Sequence, residues 1–334
     1  MEIIYLLLLI FFLNLTIFFK FQKFSNFFLV FDKPDGKLKK HDRATSLVGG
    51  FIILINLYLI IFFLKILNMD NVIFEDNFLY IVLILSFLFY LIGFVDDLKN
   101  LSPNLKLFLI IISIILVTFF FPELKLDYIK ISFLHKDYFF GNYAFIFIIL
   151  SFALLANAIN MFDGINLQLI SYTLFIFLIF VINSFFSLFF ILLSICFIFL
   201  GILNYKNKVF IGDGGCYLIS SILGCTFIYQ YKSFSNFLYG DQIFIILLIP
   251  AIDMLRLFLV RLINKKNPFR GDLNHLHHII DRFIKNKNLT VIITLSLCIF
   301  PTFLMYLGIK TYSILAISLL IYFSLILFLG FKNR

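Results

Sequence analysis

What most constrains this chain is a series of apolar windows, each long enough to cross a bilayer, that fills it almost from end to end. They fall at roughly 2–19, 46–67, 77–95, 105–121, 144–159, 167–182, 186–203, 215–231, 242–262, 290–309 and 311–331. One crossing consumes about 20 apolar residues. Inside lipid a strand with an open edge would leave backbone groups unpaired, so each window has to be a helix. The expected fold is an all-α polytopic membrane protein with about 11 transmembrane helices. Ten is the alternative count, because the sixth and seventh windows and the last two are tightly joined. Of the 334 residues, 63% are hydrophobic and 13% charged, against roughly 25% charged in soluble domains. A soluble core could not enclose that much apolar side chain. No repeat or soluble segment interrupts the pattern, so one integral-membrane domain over 1–334 is expected. The first window lacks a basic start and a small-residue cleavage site and reads as an uncleaved span.

The net charge of +9 would point to nucleic acid in a soluble protein; here it sets topology instead. With eleven spans, the 27 Lys and Arg divide very unevenly between the two sides. Only Lys65, Lys125, Lys130, Lys136, Lys232 and Lys310 fall on one of them. By the positive-inside rule the crowded side is cytoplasmic, with the N-terminus outside and the C-terminus inside. The motif segments 32–50, 96–106, 157–166, 210–215 and 268–281 all fall on the cytoplasmic side. The outer side carries a short hairpin near 123–143. Cys196, Cys216, Cys225 and Cys298 have no ligand spacing and read as small core hydrophobes.

Each of the five segments admits a plain reading and a chemical one. Asp96 and Asp97 end the third span. They are either a solvated helix end or a pair of carboxylates held together by a cation, a proton or water. Lys99 and Lys106, which follow, suit phosphates and lipid headgroups equally. ANAINMFDGIN holds Asn157, Asn160, Asp163 and Asn166, ordinary turn formers that also make a dense oxygen cluster. Asn160 and Asp163 can share one helical face. In VFIGDGGCYL, Asp213 sits among glycines that allow close backbone approach, just before a helix N-terminus that favours an anion. Phe210 either stacks on a base or anchors in the interface. NPFRGDLNHLHHIIDRF brings Asp272, His275, His277 and His278 into a basic loop. Zinc is one reading of the histidines. The oxygen-rich loops instead suit Mg²⁺ shared with substrate phosphates, with histidines and arginines as phosphate donors. FDKPDGKLKKHDRATSLVGG carries cations for anionic headgroups or for a lipid phosphate, and Gly49 and Gly50 permit close helix packing.

Taken in order, these segments resemble the polyprenyl-phosphate N-acetylhexosamine-1-phosphate transferase family, glycosyltransferase family 4. That family includes undecaprenyl-phosphate GlcNAc-1-phosphate transferases and, more distantly, the phospho-MurNAc-pentapeptide translocase. The resemblance covers about 30 to 280; the last two spans match only as hydrophobic helices. FDKPDGKLKKH resembles the family's D-x-P…K/R-x-H loop, which implicates Asp32, Pro34, Lys37, Lys39 and His41. Asp96 and Asp97 match its DD pair, implying Mg²⁺ handling and activation of the lipid phosphate. NAINMFDG matches N-x-x-D-G and places Asn160 and Asp163 in the nucleotide-sugar site. FIGDGG is similar to F-x-G-D-x-G, making Asp213 the direct Mg²⁺ ligand and Phe210 a uracil platform. PAIDML, with Asp253, resembles the ninth-span motif. DLNHLHH matches D-x-x-H-x-H-H, implying that His275, His277 and His278 hold the diphosphate. The sequence departs from the pattern twice. Ala44-Thr45-Ser46 replaces a Pro-x-Pro, which predicts a less rigid start to the second helix. Asn166 and Leu167 replace a second D-G, which bears on sugar selectivity.

The implied activity is transfer of a HexNAc 1-phosphate from a UDP-sugar to undecaprenyl phosphate at the cytoplasmic face of a bacterial inner membrane, with release of UMP. The catalytic residues would be Asp96, Asp97, Asp163 and Asp213. Of these Asp213, Asp96 and Asp97 would hold Mg²⁺, with Mn²⁺ as a substitute. The partners implied are undecaprenyl phosphate, a UDP-N-acetylhexosamine and a second copy of the chain, and no nucleic acid. A peptidoglycan enzyme of the translocase type is the alternative within the family. A secondary transporter is the alternative outside it, but the halves of the chain do not resemble each other as inverted repeats would.

Overall fold

The computed structural model describes residues 2–28, 30–32, 44–69, 73–134, 136–183, 185–233, 238–268 and 272–332. Lys37, Lys39 and His41, with Pro34, lie outside them. In chain order the elements begin with α1 (Glu2–Phe19), α2 (Phe21–Phe28), β1 (Phe31–Asp32), β2 (Thr45–Ser46), α3 (Gly49–Ile66), α4 (Asp76–Lys99) and α5 (Pro103–Phe120). Next come β3 (Tyr128–Lys130), β4 (Asp137–Phe139), α6 (Ala144–Phe162), α7 (Gln168–Ile182), α8 (Ser187–Tyr205) and α9 (Gly212–Ser233). Last are α10 (Gly240–Ile246), α11 (Leu248–Ile263), α12 (Leu276–Ile284), α13 (Lys287–Tyr306) and α14 (Thr311–Lys332). The protein is a mostly helical polytopic membrane protein.

Every apolar window coincides with helix. Among the described residues eight helices are long and apolar enough to cross a membrane, or nine if a bent pair counts as one span. The windows that fall short do so for identifiable reasons. α7 has only 15 residues. α9 carries Asp213, Ser220, Ser221, Thr226 and Gln230, and protein rather than lipid encloses it. Ser220, Ser221 and Thr226 are buried and donate to carbonyls of their own helix at 2.7 Å. Buried hydroxyls satisfied in this way are tolerated in a helix, and a helix sheltered by neighbours need not be apolar throughout.

The ninth window breaks into α10 and α11, bent by 78°. Pro250 supplies the cause: it has no N–H to donate to the Ile246 carbonyl four residues back, and its ring crowds that carbonyl. The Tyr172 hydroxyl donates to the Ile246 carbonyl instead, at 2.8 Å, so the freed acceptor is not left unpaired.

The chain forms two compact units. The first comprises Met1–Leu124 and Thr173–Tyr229, the second Lys125–Tyr172 and Gln230–Arg334. In the first, α1 and α3 pack on α8, and α4 packs on α3 and α5. α1 and α3 are also pinned by a reciprocal amide pair, Asn14 Nδ2 to Asn56 Oδ1 at 2.7 Å and the reverse at 3.2 Å, both side chains buried. In the second, α6 packs on α11, and α13 gathers α10, α12 and α14. The expected hairpin is present as β3 and β4, paired antiparallel with Ile129 opposite Tyr138. Asp241 of α10 accepts from the Ser132 N–H at 2.9 Å and from the Thr311 hydroxyl, which ties the hairpin to α10 and α14.

Candidate functional site

In the first unit the site is built at the N-terminus of α9, where glycines let three backbones meet. A Cβ on Gly49 would lie 2.5 Å from the Phe210 carbonyl oxygen, and one on Gly50 2.5 Å from the Gly215 nitrogen. One on Gly93 of α4 would collide with the backbone of Asp213 and Gly214. The N–H groups of Gly49 and Gly50 donate to Phe210 O at 3.2 Å and Ile211 O at 3.0 Å. Thr45 and Ser46, in place of the Pro-x-Pro, hold the entry to α3 by strand pairing. Ser46 lies opposite Phe31 and accepts from the Phe210 N–H at 2.8 Å.

That close packing places Asp97 of α4 under the first turn of α9. Its carboxylate accepts from the N–H of Asp213 at 3.0 Å and of Gly214 at 3.2 Å. It therefore acts as an N-cap contributed by another helix, meeting donors that α9 cannot pair internally. Gly212, with φ +73°, turns the chain here; a side chain on it would strike the Asp97 carboxylate.

Asp96, 3% exposed, faces a different partner. α4 ends at Asn100 in the left-handed conformation (φ 49°), and Ser102 and Pro103 restart the chain at once as α5. The reversal returns Lys106, in the opening turns of α5, to the end of α4. There its ammonium pairs with Asp96 and lies 3.1 Å from Asp213 Oδ2. The other Asp96 oxygen accepts from the Leu101 N–H at 2.7 Å. Three carboxylates thus gather at one helix terminus, held by three backbone donors and one lysine.

This oxygen set suits Mg²⁺. Asp96 and Asp213 already direct oxygens at one positive charge, and Mg²⁺ is usually bound by one or two carboxylates with substrate phosphates and water. Among the described residues no three His, Cys, Asp or Glu side chains form a group that would hold a metal ion by themselves. Asp96 and Asp213 are the residues able to contribute, with the rest of the shell left to substrate and water.

In the second unit the N-x-x-D-G and histidine motifs meet. Asp163 caps the end of α6, its N–H donating to the Asn160 carbonyl at 3.3 Å, so both residues stand at that terminus. Any side chain on Gly164 would run into the His277 imidazole. His277 is 2% exposed, and its Nδ1 is 3.2 Å from the Gln168 amide nitrogen. Burial holds its pKa well below the ordinary histidine value, so the ring is neutral at pH 7. The His275 ring lies parallel to it at 5.6 Å, and the half-buried His278 is 4.2 Å away at 62°. His275 Nδ1 is 2.9 Å from Asp253 Oδ2. With the two Nδ1 atoms engaged by Asp253 and Gln168, these rings do not share a metal through those atoms. Asp272 pairs with Arg261 at 2.9 Å and accepts from the Asn274 N–H at 2.7 Å; Arg261 keeps its carboxyl below the ordinary range.

Phe210 is half-buried, with its backbone in the segment just described. The sequence alone points to no place in a site for Gln168, Arg256 and Tyr322, and offers Lys106 only as a cation for phosphates or lipid headgroups, not as the partner of Asp96 and Asp213. Lys106 carried a signal, a cation ten residues after an acidic pair. Gln168 and Tyr322 look like any polar residue in an apolar helix.

A model of glycosyl transferase family 4 matches residues 79–231, which take in the DD, N-x-x-D-G and G-D-G-G segments. The undecaprenyl-phosphate alpha-N-acetylglucosaminyl 1-phosphate transferase of Thermotoga maritima is 28% identical over 272 residues, 80% of this chain and 78% of the relative. These similarities bear out the family resemblance read from the motifs, and the chain is an enzyme of the transferase class.

Proposed function

We propose that this glycosyl transferase family 4 protein moves N-acetylglucosamine 1-phosphate from UDP-N-acetylglucosamine to undecaprenyl phosphate. The observation that carries this reading is the set of Asp96, Asp97, Asp213 and Lys106 at the N-terminus of α9. The name of the Thermotoga relative supplies the lipid and the sugar. An oxygen of the lipid phosphate attacks the β-phosphorus. The bond from that phosphorus to the oxygen bridging the two phosphates breaks, and UMP leaves with its electron pair. The product is a polyprenyl-diphospho-sugar.

Positioning and charge supply most of the catalysis in such a transfer. When bound, Mg²⁺ would offset the growing negative charge on the diphosphate. Asp213 and Asp96 would hold it. Lys106 would then carry its positive charge to a phosphate oxygen, and Asp97 would keep the first turn of α9 aimed at the reacting group. A lipid phosphate has its second pKa near ~6, so it is largely ionised without a strong base. His275 and His278 would donate to the diphosphate, and Asn160 and Asp163 would contact the nucleotide-sugar. The distribution of Lys and Arg supports eleven crossings, with the N-terminus outside and the motif segments facing the cytoplasm.

Purified protein supplied with undecaprenyl phosphate, Mg²⁺ and a panel of UDP-sugars tests this by UMP release. Release should need both lipid and Mg²⁺ or Mn²⁺, survive a zinc-selective chelator and be fastest with UDP-N-acetylglucosamine. No release from any UDP-sugar would refute the reading.

A further inference from the structure

The best-satisfied buried carboxylate in the second unit is Asp253, on α11, 5% exposed. Oδ1 accepts from the Tyr322 hydroxyl at 2.7 Å and from Arg256 Nη2 at 2.8 Å. Oδ2 meets His275 Nδ1 at 2.9 Å, and the Leu276 N–H lies 3.1 and 3.2 Å from the two oxygens. Arg256 closes a ring: its Nε donates to the Tyr322 hydroxyl at 2.7 Å, and Nη2 also reaches the Asn274 carbonyl at 2.7 Å. Tyr322, on α14, is fully buried. Three helices therefore converge on the residue that opens α12, since His275 stands at its N-cap without capping it by its own side chain. Asp253 does the capping through Leu276.

A buried ion pair is weak support for stability, because desolvation offsets most of the attraction. A carboxylate that accepts Nδ1–H of a histidine does something more specific. It fixes the tautomer and the ring plane and leaves Nε2 as the atom that can act elsewhere. Tyr322 and Arg256 in turn fix the rotamer of Asp253, so they govern His275 without touching it.

Resting on the transfer reaction proposed above, we propose that Asp253, Arg256 and Tyr322 are positioning residues that hold His275 with its proton on Nδ1 and Nε2 directed at the substrate diphosphate. α14, which matches the family only as a hydrophobic helix, would then be part of the catalytic apparatus.

The test is a double-mutant cycle of Tyr322→Phe and His275→Gln in the full-length protein, together with selective ¹⁵N-histidine NMR of its five histidines. Hydrogen bonds to charged groups are worth roughly tenfold or more in an equilibrium or rate. Tyr322→Phe, which keeps the ring volume, should therefore lower kcat about tenfold and shift or broaden the His275 Nδ1–H signal. In the His275→Gln background the same change should lower kcat less than about twofold, since sites acting through one another are not additive. Full additivity, or an unmoved His275 signal, would overturn the proposal. Asp253→Asn should give the larger loss in both readouts and guards against a silent Tyr322 variant. If the unmodified protein turns over no UDP-sugar, the reaction itself is wrong, and the NMR arm alone decides the positioning claim.

Discussion

Asp97→Asn separates two roles that the motif alone leaves merged. In the structure the Asp97 carboxylate accepts from the N–H groups of both Asp213 and Gly214. An asparagine has one oxygen, so one of those donors loses its partner at a buried helix terminus, at a cost of about 1–3 kcal/mol. Loss of the negative charge beside the positive end of α9 adds roughly 0.3–1 kcal/mol. Together the substitution should destabilise the first unit by about 1.3–4 kcal/mol and lower turnover by displacing Asp213. Asp213→Asn should behave oppositely. Its side chain is part-exposed and Lys106 retains Asp96 as a partner, so the stability change should stay within about 1 kcal/mol, while turnover falls by orders of magnitude. Unfolding by SDS titration in mixed micelles, alongside UMP release, measures both quantities. If Asp97→Asn proves as stable as the unmodified protein yet inactive, Asp97 acts on the reacting groups and the capping argument is wrong.

Gly50→Ala places a methyl group against the Gly215 backbone, which cannot yield, so it should cost about 1–3 kcal/mol and most of the activity; unchanged SDS unfolding would contradict this. His277 gives a pH dependence. The unfolded chain takes up a proton below about pH 6.5 while the folded chain, with its lowered pKa, does not. The contribution of His277 is therefore present above that pH and lost as pH falls, at up to about 1.4 kcal/mol per unit. His277→Gln should flatten the stability slope between pH 6.5 and 5, and an unchanged slope would show that the ring titrates normally. For topology, the four native cysteines are buried, so a new one reports cleanly. Lys208→Cys should be labelled only from the cytoplasmic side and Tyr138→Cys only from outside, and the reverse pattern would invert the orientation.

The helices were legible because bilayer length and apolar content are local properties of the sequence, and so was the hairpin. The 78° break at Leu247 could have been anticipated from Pro250, which stood in plain view inside an apolar window. Membership of the acidic cluster was legible for Asp96, Asp97 and Asp213 because each carries a local signal, such as adjacent carboxylates or flanking glycines. Their division of labour was not, because it depends on which oxygen meets α9 and which meets Lys106. Tyr322 and Asp253 are 69 residues apart, so no local pattern could pair them. Gly164 and His277 show the converse: each belongs to a recognisable motif, and their contact explains why the turn after Asp163 takes a glycine.

In the proposed reaction the β-phosphorus of the nucleotide-sugar moves with the sugar to the lipid. UDP-N-acetylglucosamine labelled with ³²P at the β-phosphate, incubated with the purified protein, Mg²⁺ and undecaprenyl phosphate, reports this directly. Label should pass into the organic phase in step with unlabelled UMP, and Asp213→Asn should abolish both. Label that stays in water as UDP while sugar reaches the lipid would contradict the proposed reaction, because the bond broken would then be the glycosidic one.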